Sequence, residues 1–222
     1  MANPKNKNGI SNKMQTTLEK VNHFAKVERF IAVTLTLTPL VLYLADFGFE
    51  RKFRTSISDY AFMCDSYWFG SLLALAGALF IFNGAQHMSL TDIPSLAFAE
   101  KRFGKGYNII FGIALFGVIY FDHEDFKVVH YIFAAVFYLG CALAMLLTRE
   151  TQLKKTGDVL GILTILSLGL NLLLDWILGE DNNPFTLLWA EWLGLIFIAI
   201  YFVAESFERD KRELQEGIKS CM

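Results

Sequence analysis

Residues 184–204 read PFTLLWAEWLGLIFIAIYFVA, a run of 21 residues in which Glu191 is the one charged group. As a helix rising 1.5 Å per residue it is about 32 Å long, which matches the ≈ 30 Å hydrocarbon core of a bilayer. A helix on a soluble domain keeps one polar face, and this stretch has none. It reads as a membrane span. Working outward, five more stretches approach the same length and character, at residues 30–49, 67–85, 106–121, 128–147 and 159–178, the third being the shortest. The expected fold class is therefore all-α: a polytopic membrane protein built as a six-transmembrane-helix bundle. Residues 1–29 and 205–222 form its polar tails, and residues 30–204 its membrane domain.

Composition agrees. Over 222 residues the chain is 54% hydrophobic and 15% aromatic, with a formal net charge of -2. That balance argues against nucleic acid as a partner, because phosphate binding needs clustered Lys and Arg. Cys64, Cys141 and Cys221 fall in a loop, a span and the C-terminal tail, so no disulfide framework is expected. The first 26 residues lack the apolar stretch and cleavage site of a signal peptide. There is no repeat and no inserted soluble domain.

Orientation follows from Lys and Arg, which accumulate in short cytoplasmic loops. Sixteen of them fall in the N-terminal tail, the second and fourth loops and the C-terminal tail; four, Arg51, Lys52, Arg54 and Lys127, fall in the odd loops. The expected topology is N-in and C-in, with the odd loops outside or lumenal. The protein would lie in the cell membrane of a bacterium or an endomembrane of a eukaryote. Pro39 in TLTLTPLVL is expected to kink the first span, with Thr34, Thr36 and Thr38 satisfying part of the freed backbone. Gly70, Ala74 and Ala78 recur every fourth residue and suggest a small-residue packing seam.

Ionisable groups inside spans cost about 2.5–3.5 kcal/mol at a helix centre on insertion scales, so each needs a reason. Three gather at the outer end: His130 three residues past Lys127, Asp175 four before Gly179, and Glu191 seven past Pro184. They are expected to share one layer, at depths of roughly 5–10 Å. Asn171, one turn from Asp175, extends a polar stripe inward. Glu191 is the deepest, and no Lys or Arg lies in the outer half of a span to pair with it. It must meet His130, Asn171, a hydroxyl or water, or carry a proton.

Candidate acid–base residues are thus Glu191, His130 and Asp59; candidate ligand-binding residues are Ser58, Asn171, Asp175 and His123. His123, His130 and Glu191 are also the candidates for a metal, although their spacing is not the HxxxH or HExxH that brings two imidazoles to one ion. Asp175 and the DHED run 122–125 also suit the headgroup layer, with Trp176, Trp189 and Trp192 as an aromatic belt. Asp46 and Tyr43 are candidates to join the polar layer. His87, His23 and Glu205 read as interfacial or solvated, and the inner halves of the spans as nearly free of charge. No nucleotide motif, GxSxG or Arg ladder is present, and no cofactor is assigned.

Four short motifs in order, Ser56-Ile57-Ser58-Asp59, Phe69-Gly70, His130 with Ala134, and Ala190-Glu191-Trp192, resemble the DRAM/FRAG-type six-span membrane family over roughly residues 30–212. The SISDY and WAEW segments are also similar to a group of bacterial six-span proteins. This chain departs from the family in YAFMCDSYW after the first motif and in its acidic DHED loop. The resemblance implies a lumenal-side polar site made from Asp59, His130 and Glu191, and involvement with membrane lipids, including lipid remodelling. The partners expected are membrane lipids, a second copy of the chain or another membrane protein. A non-enzymatic membrane scaffold is the alternative, and a channel or proton-coupled transporter ranks third.

Overall fold

A chain segment in lipid has no water to bond, so apolar runs of this length satisfy their backbone as helices. The computed structural model is all-helical and describes residues 5–46, 53–89, 106–148, 151–179 and 182–221, with side chains for most residues from 25 to 211. The order is α1 (Lys5–Ala45), a short 3₁₀ helix (Ser58–Phe62), α2 (Tyr67–Ser89), α3 (Asn108–Tyr120), α4 (Lys127–Leu146), α5 (Thr151–Leu178) and α6 (Leu187–Cys221). Five stretches are long and apolar enough to cross a membrane: Ala25–Ala45, Tyr67–Met88, Lys127–Leu146, Gln152–Leu178 and Leu187–Glu208. The chain is thus a helical membrane protein. The expected third span is shorter, since α3 has 13 residues and a length of about 20 Å. Arg51, Lys52, Lys101, Arg102, Lys105 and Arg149, on which the charge asymmetry partly rests, lie outside the described residues.

Each helix packs against its neighbours in sequence, and α6 returns to α1, closing the bundle. Neighbours run antiparallel: Gly84 on α2 lies beside Ile109 on α3 while Gly70 faces Ile119, and Gly117 on α3 lies under Phe133 on α4 while Gly140 meets Phe111. Helices α4 and α6 also touch directly, which leaves α5 on their flank. The outward surface is apolar: Val128, Ile132, Leu172, Leu173, Trp176 and Ile177 are all exposed, whereas Asn83, Thr164 and Asn171 are buried. That reversal suits a lipid solvent.

The α2–α3 contact corrects the expected seam. Ala78 is exposed, and the close approach is made by Gly77 and Gly84, seven residues apart. A Cβ added to Gly112 would sit 2.5 Å from the Gly77 carbonyl oxygen, and one on Gly84 2.8 Å from the Ile109 nitrogen. A seven-residue repeat keeps one stripe on a nearly antiparallel neighbour, where a four-residue repeat drifts off it. Gly112→Ala should therefore cost about 1–3 kcal/mol through overpacking. Ala78→Leu should be silent. Thermal unfolding in detergent checks this, and equal melting of Gly112→Ala and wild type would refute the close seam.

Pro39 sits inside α1. The Thr38 and Thr36 hydroxyls donate back to the Thr34 and Ala32 carbonyls at 2.7 and 2.8 Å. The Trp192 indole N–H donates from α6 to the Thr36 carbonyl at 3.2 Å, which ties the two ends of the chain together beside the proline. Gly179, at φ 81, ends α5 in the left-handed conformation that glycine adopts without strain.

Candidate functional site

One end of the bundle carries the loops after α1, α3 and α5, and the functional candidates lie there. The SISD segment is held first by itself. Ser56 Oγ accepts the Asp59 N–H at 3.1 Å, and Asp59 Oδ2 accepts the Ser56 N–H at 2.9 Å. This is the reciprocal pairing of a capping box, and it starts the 3₁₀ helix. Asp59 also accepts from the Thr55 hydroxyl, and its Oδ1 lies 3.1 Å from His123 Nε2. These partners occupy the carboxylate, so Asp59 joins the first outer loop to the α3–α4 loop. His123 sits in a turn that Asp122 Oδ1 closes by accepting the Glu124 and Asp125 N–H groups at 3.0 and 2.7 Å.

The same segment is then docked on α6. The Leu188 N–H donates to the Thr55 carbonyl at 2.7 Å, and the Ile57 N–H donates to Glu191 Oε2 at 2.7 Å. Glu191 is 8% exposed. Its mate from the sequence, His130, is also buried and presents Nδ1 to the Phe121 carbonyl at 2.7 Å. A nitrogen facing a carbonyl must donate, so the neutral ring carries its proton on Nδ1 and Nε2 is an acceptor. Asp46, at the end of α1, is held by Arg54 through Nε at 2.6 Å and a second nitrogen at 3.2 Å. The guanidinium lies over the Tyr60 ring, and burial pushes the Tyr60 phenol above its usual pKa.

Beneath this roof is a cavity of about 40 Å³. Ser58, His130, Glu191, Thr38 and Tyr138 supply its polar lining; Leu35, Phe69, Leu73, Leu115 and Leu195 are among the apolar residues below. Every helix but α5 contributes to the wall. From Tyr67 at the start of α2 to Ala76 in the wall is roughly 14 Å along the helix axis.

The structure thus brings Ser58, His130 and Glu191 to one cavity and sets Asp59 with His123 beside it. Asn171 and Asp175 are placed elsewhere. Asn171 Nδ2 donates to the Phe185 carbonyl at 2.8 Å, and Asn183 Nδ2 donates to Asp175 Oδ1 at 2.6 Å. They fasten the α5–α6 connection and do not line the cavity. Among the described residues no three His, Cys, Asp or Glu side chains come together to hold a metal ion, because His123 faces Asp59 and Glu191 faces Ile57.

A family model, described as a family of unknown function (DUF7103), matches residues 37–206. The chain belongs to the DUF7103 family. The match takes in α2 to α5, the C-terminal end of α1 and the apolar part of α6, with every candidate residue named above. No curated protein and no solved structure matches the chain.

The opposite end of the DUF7103 bundle corrects a second expectation. Glu28, His87 and Glu205 are buried, at 0%, 5% and 3% exposure. The Glu28 carboxylate lies 3.7 Å from His87 Nε2, and Asn108 Nδ2 donates to Asn83 Oδ1 at 2.7 Å. The inner halves of the spans are therefore not free of ionisable groups. Position near a span's end suggested the interface for His87 and Glu205, but both side chains are buried among neighbouring helices.

Proposed function

We propose that this is a six-span, N-in and C-in membrane protein that engages membrane lipids through the cavity at its outer end, with the lipid's polar group at Ser58, His130 and Glu191. The observation that carries the reading is the cavity itself: Ser58, His130 and Glu191 meet in one wall with the apolar side chains of Leu35, Phe69, Leu73 and Leu195, a mixed lining that suits an amphiphile. Glu191 and His130 place a carboxyl and an imidazole in that wall, the groups proton transfer uses, so remodelling of the bound lipid is the activity this arrangement supports. The resemblance to DRAM/FRAG-type proteins points the same way.

The test is lipid retention. After exhaustive detergent exchange the purified protein should keep a bound lipid, detected by native mass spectrometry. Ala134→Phe, which fills the cavity, should lower retention several-fold. Equal retention by both would overturn the reading.

Topology rests on the Lys and Arg split and on the course of α3. That helix follows α2 from Gly84 to Gly70, about 21 Å, and a short span is accommodated by local thinning. In whole cells a membrane-impermeant maleimide should label Cys64, which is exposed, and reach Cys221 only after permeabilisation. Labelling of Cys221 first would invert the topology.

A further inference from the structure

The polar groups of the outer cavity are each partly engaged, and what they have left is of one kind. The His130 imidazole presents Nδ1 to the Phe121 carbonyl at 2.7 Å, so Nε2 is an acceptor. The Thr38 hydroxyl donates to the Thr34 carbonyl at 2.7 Å and keeps only lone pairs for the cavity. Glu191 Oε2 accepts the Ile57 N–H at 2.7 Å, which leaves Oε1. The Ser58 and Tyr138 hydroxyls can turn either way. Among the described residues that line the cavity there is no Lys or Arg. Both His130 and Glu191 are buried, and in such a low-dielectric wall a charge-assisted hydrogen bond is strong.

The charge at this end agrees. Its first two loops carry Asp59, Asp65, Asp122, Glu124 and Asp125 among the described residues, against Arg54, which is bound to Asp46, and Lys127 at the start of α4. An acidic excess of this kind raises the local concentration of cations and lowers that of anions.

A wall of acceptors with one carboxyl group and no cation suits a ligand that is all donor. A phosphate or a carboxylate finds no partner for its charge there, whereas a primary ammonium offers three N–H groups and a positive charge. Hard metal cations take oxygen ligands, and the imidazole nitrogen in this set favours an N–H donor. Size sets the same limit. At about 40 Å³ the cavity holds roughly three water-sized groups, the equivalent of an amino group and the two carbons of an ethanolamine. Resting on the reading that a lipid's polar group enters this cavity, we propose that the group is a primary ammonium. The outer cavity is an amine-recognition site, with Glu191 Oε1 as the counter-ion and His130 Nε2 and Thr38 Oγ1 as further acceptors. The phosphate and the acyl chains stay outside it, so the site selects a lipid of the ethanolamine type by its headgroup and is indifferent to chain length.

The experiment equilibrates the full chain in detergent with equimolar phosphatidylethanolamine, phosphatidylcholine and phosphatidylglycerol of one acyl composition, and reads the retained lipid by native mass spectrometry. Phosphatidylethanolamine should exceed each of the others by roughly tenfold or more, the order of one hydrogen bond to a charged group. Glu191→Gln, which keeps the Ile57 contact and loses the charge, should retain the ethanolamine and choline lipids equally. The N-monomethyl and N,N-dimethyl lipids test the wild-type protein without any variant: retention should fall at each step as N–H donors are replaced. Retention indifferent to headgroup, or constant through the methyl series, overturns the proposal and leaves the lipid reading standing. If no lipid is retained, the lipid reading falls, and free ethanolamine decides the amine site alone. A rise in melting temperature in wild type and none in Glu191→Gln then supports the site, and any other pattern overturns it.

Discussion

Glu191→Gln should fold, melt where the wild-type protein melts, and lose lipid turnover by about 10²-fold or more, the usual loss when a general acid–base group is removed. The separation is possible because Glu191 has two separable properties. Its Oε2 accepts the Ile57 N–H at 2.7 Å and so holds the SISD segment on α6. A glutamine amide oxygen accepts that N–H equally well but neither takes nor delivers a proton. Glu191→Ala removes both properties. It leaves the buried Ile57 N–H without its acceptor, at a cost of about 1–3 kcal/mol. Thermal unfolding should therefore rank wild type and Gln together with Ala below them, whereas turnover should rank wild type above both. If the folded Gln variant complements a deletion in full, Glu191 has no part in proton transfer. Docking of the loop is then its role, as in a scaffold.

The largest loss of stability should come from the other end of the bundle. Glu28→Ala strips the carboxylate from a position with 0% exposure, 3.7 Å from the His87 ring. Breaking one side of a buried pair costs about 3–5 kcal/mol, while replacing both partners with apolar residues is often near neutral. The double variant Glu28→Leu with His87→Leu should accordingly recover most of what Glu28→Ala loses. Unfolding in mixed micelles measures each corner of the cycle. A double variant as unstable as Glu28→Ala would place the cost in the other contacts of Glu28.

The spans were legible because lipid demands long apolar runs, and PFTLLWAEWLGLIFIAIYFVA admits no other reading. Glu191 and His130 were legible for the complementary reason: an ionisable group in such a run is conspicuous, and the structure sets both on one cavity. Depth along a helix can be counted from sequence, but the direction a side chain faces cannot. Glu205 and His87, counted as near the ends, were assigned to the interface, yet both turn inward. Asn171 and Asp175 meet Phe185 and Asn183, partners that depth alone does not reveal. The seam on α2 failed similarly, because choosing between Ala78 and Gly77 needs the partner glycine, Gly112, on a different helix. Asp59 shows the same limit: its carboxylate meets Thr55, the Ser56 N–H and His123, and the His123 contact, from a different loop, cannot be read from spacing.

The cavity wall needs α1 and α6, and the Trp192 to Thr36 bond that joins them spans 156 residues. At a synthesis rate of ~5–20 residues per second, roughly 10–30 s separate the emergence of its two sides. During that interval Thr38 and Leu35 face the bilayer or a chaperone, and nothing that binds in the finished pocket has a place to bind. A transcript cut short before α6 would therefore yield an inserted protein without a site, its polar threonine face open to cellular quality control. Full translation is in this sense a condition for function, imposed by the order in which the helices close the ring.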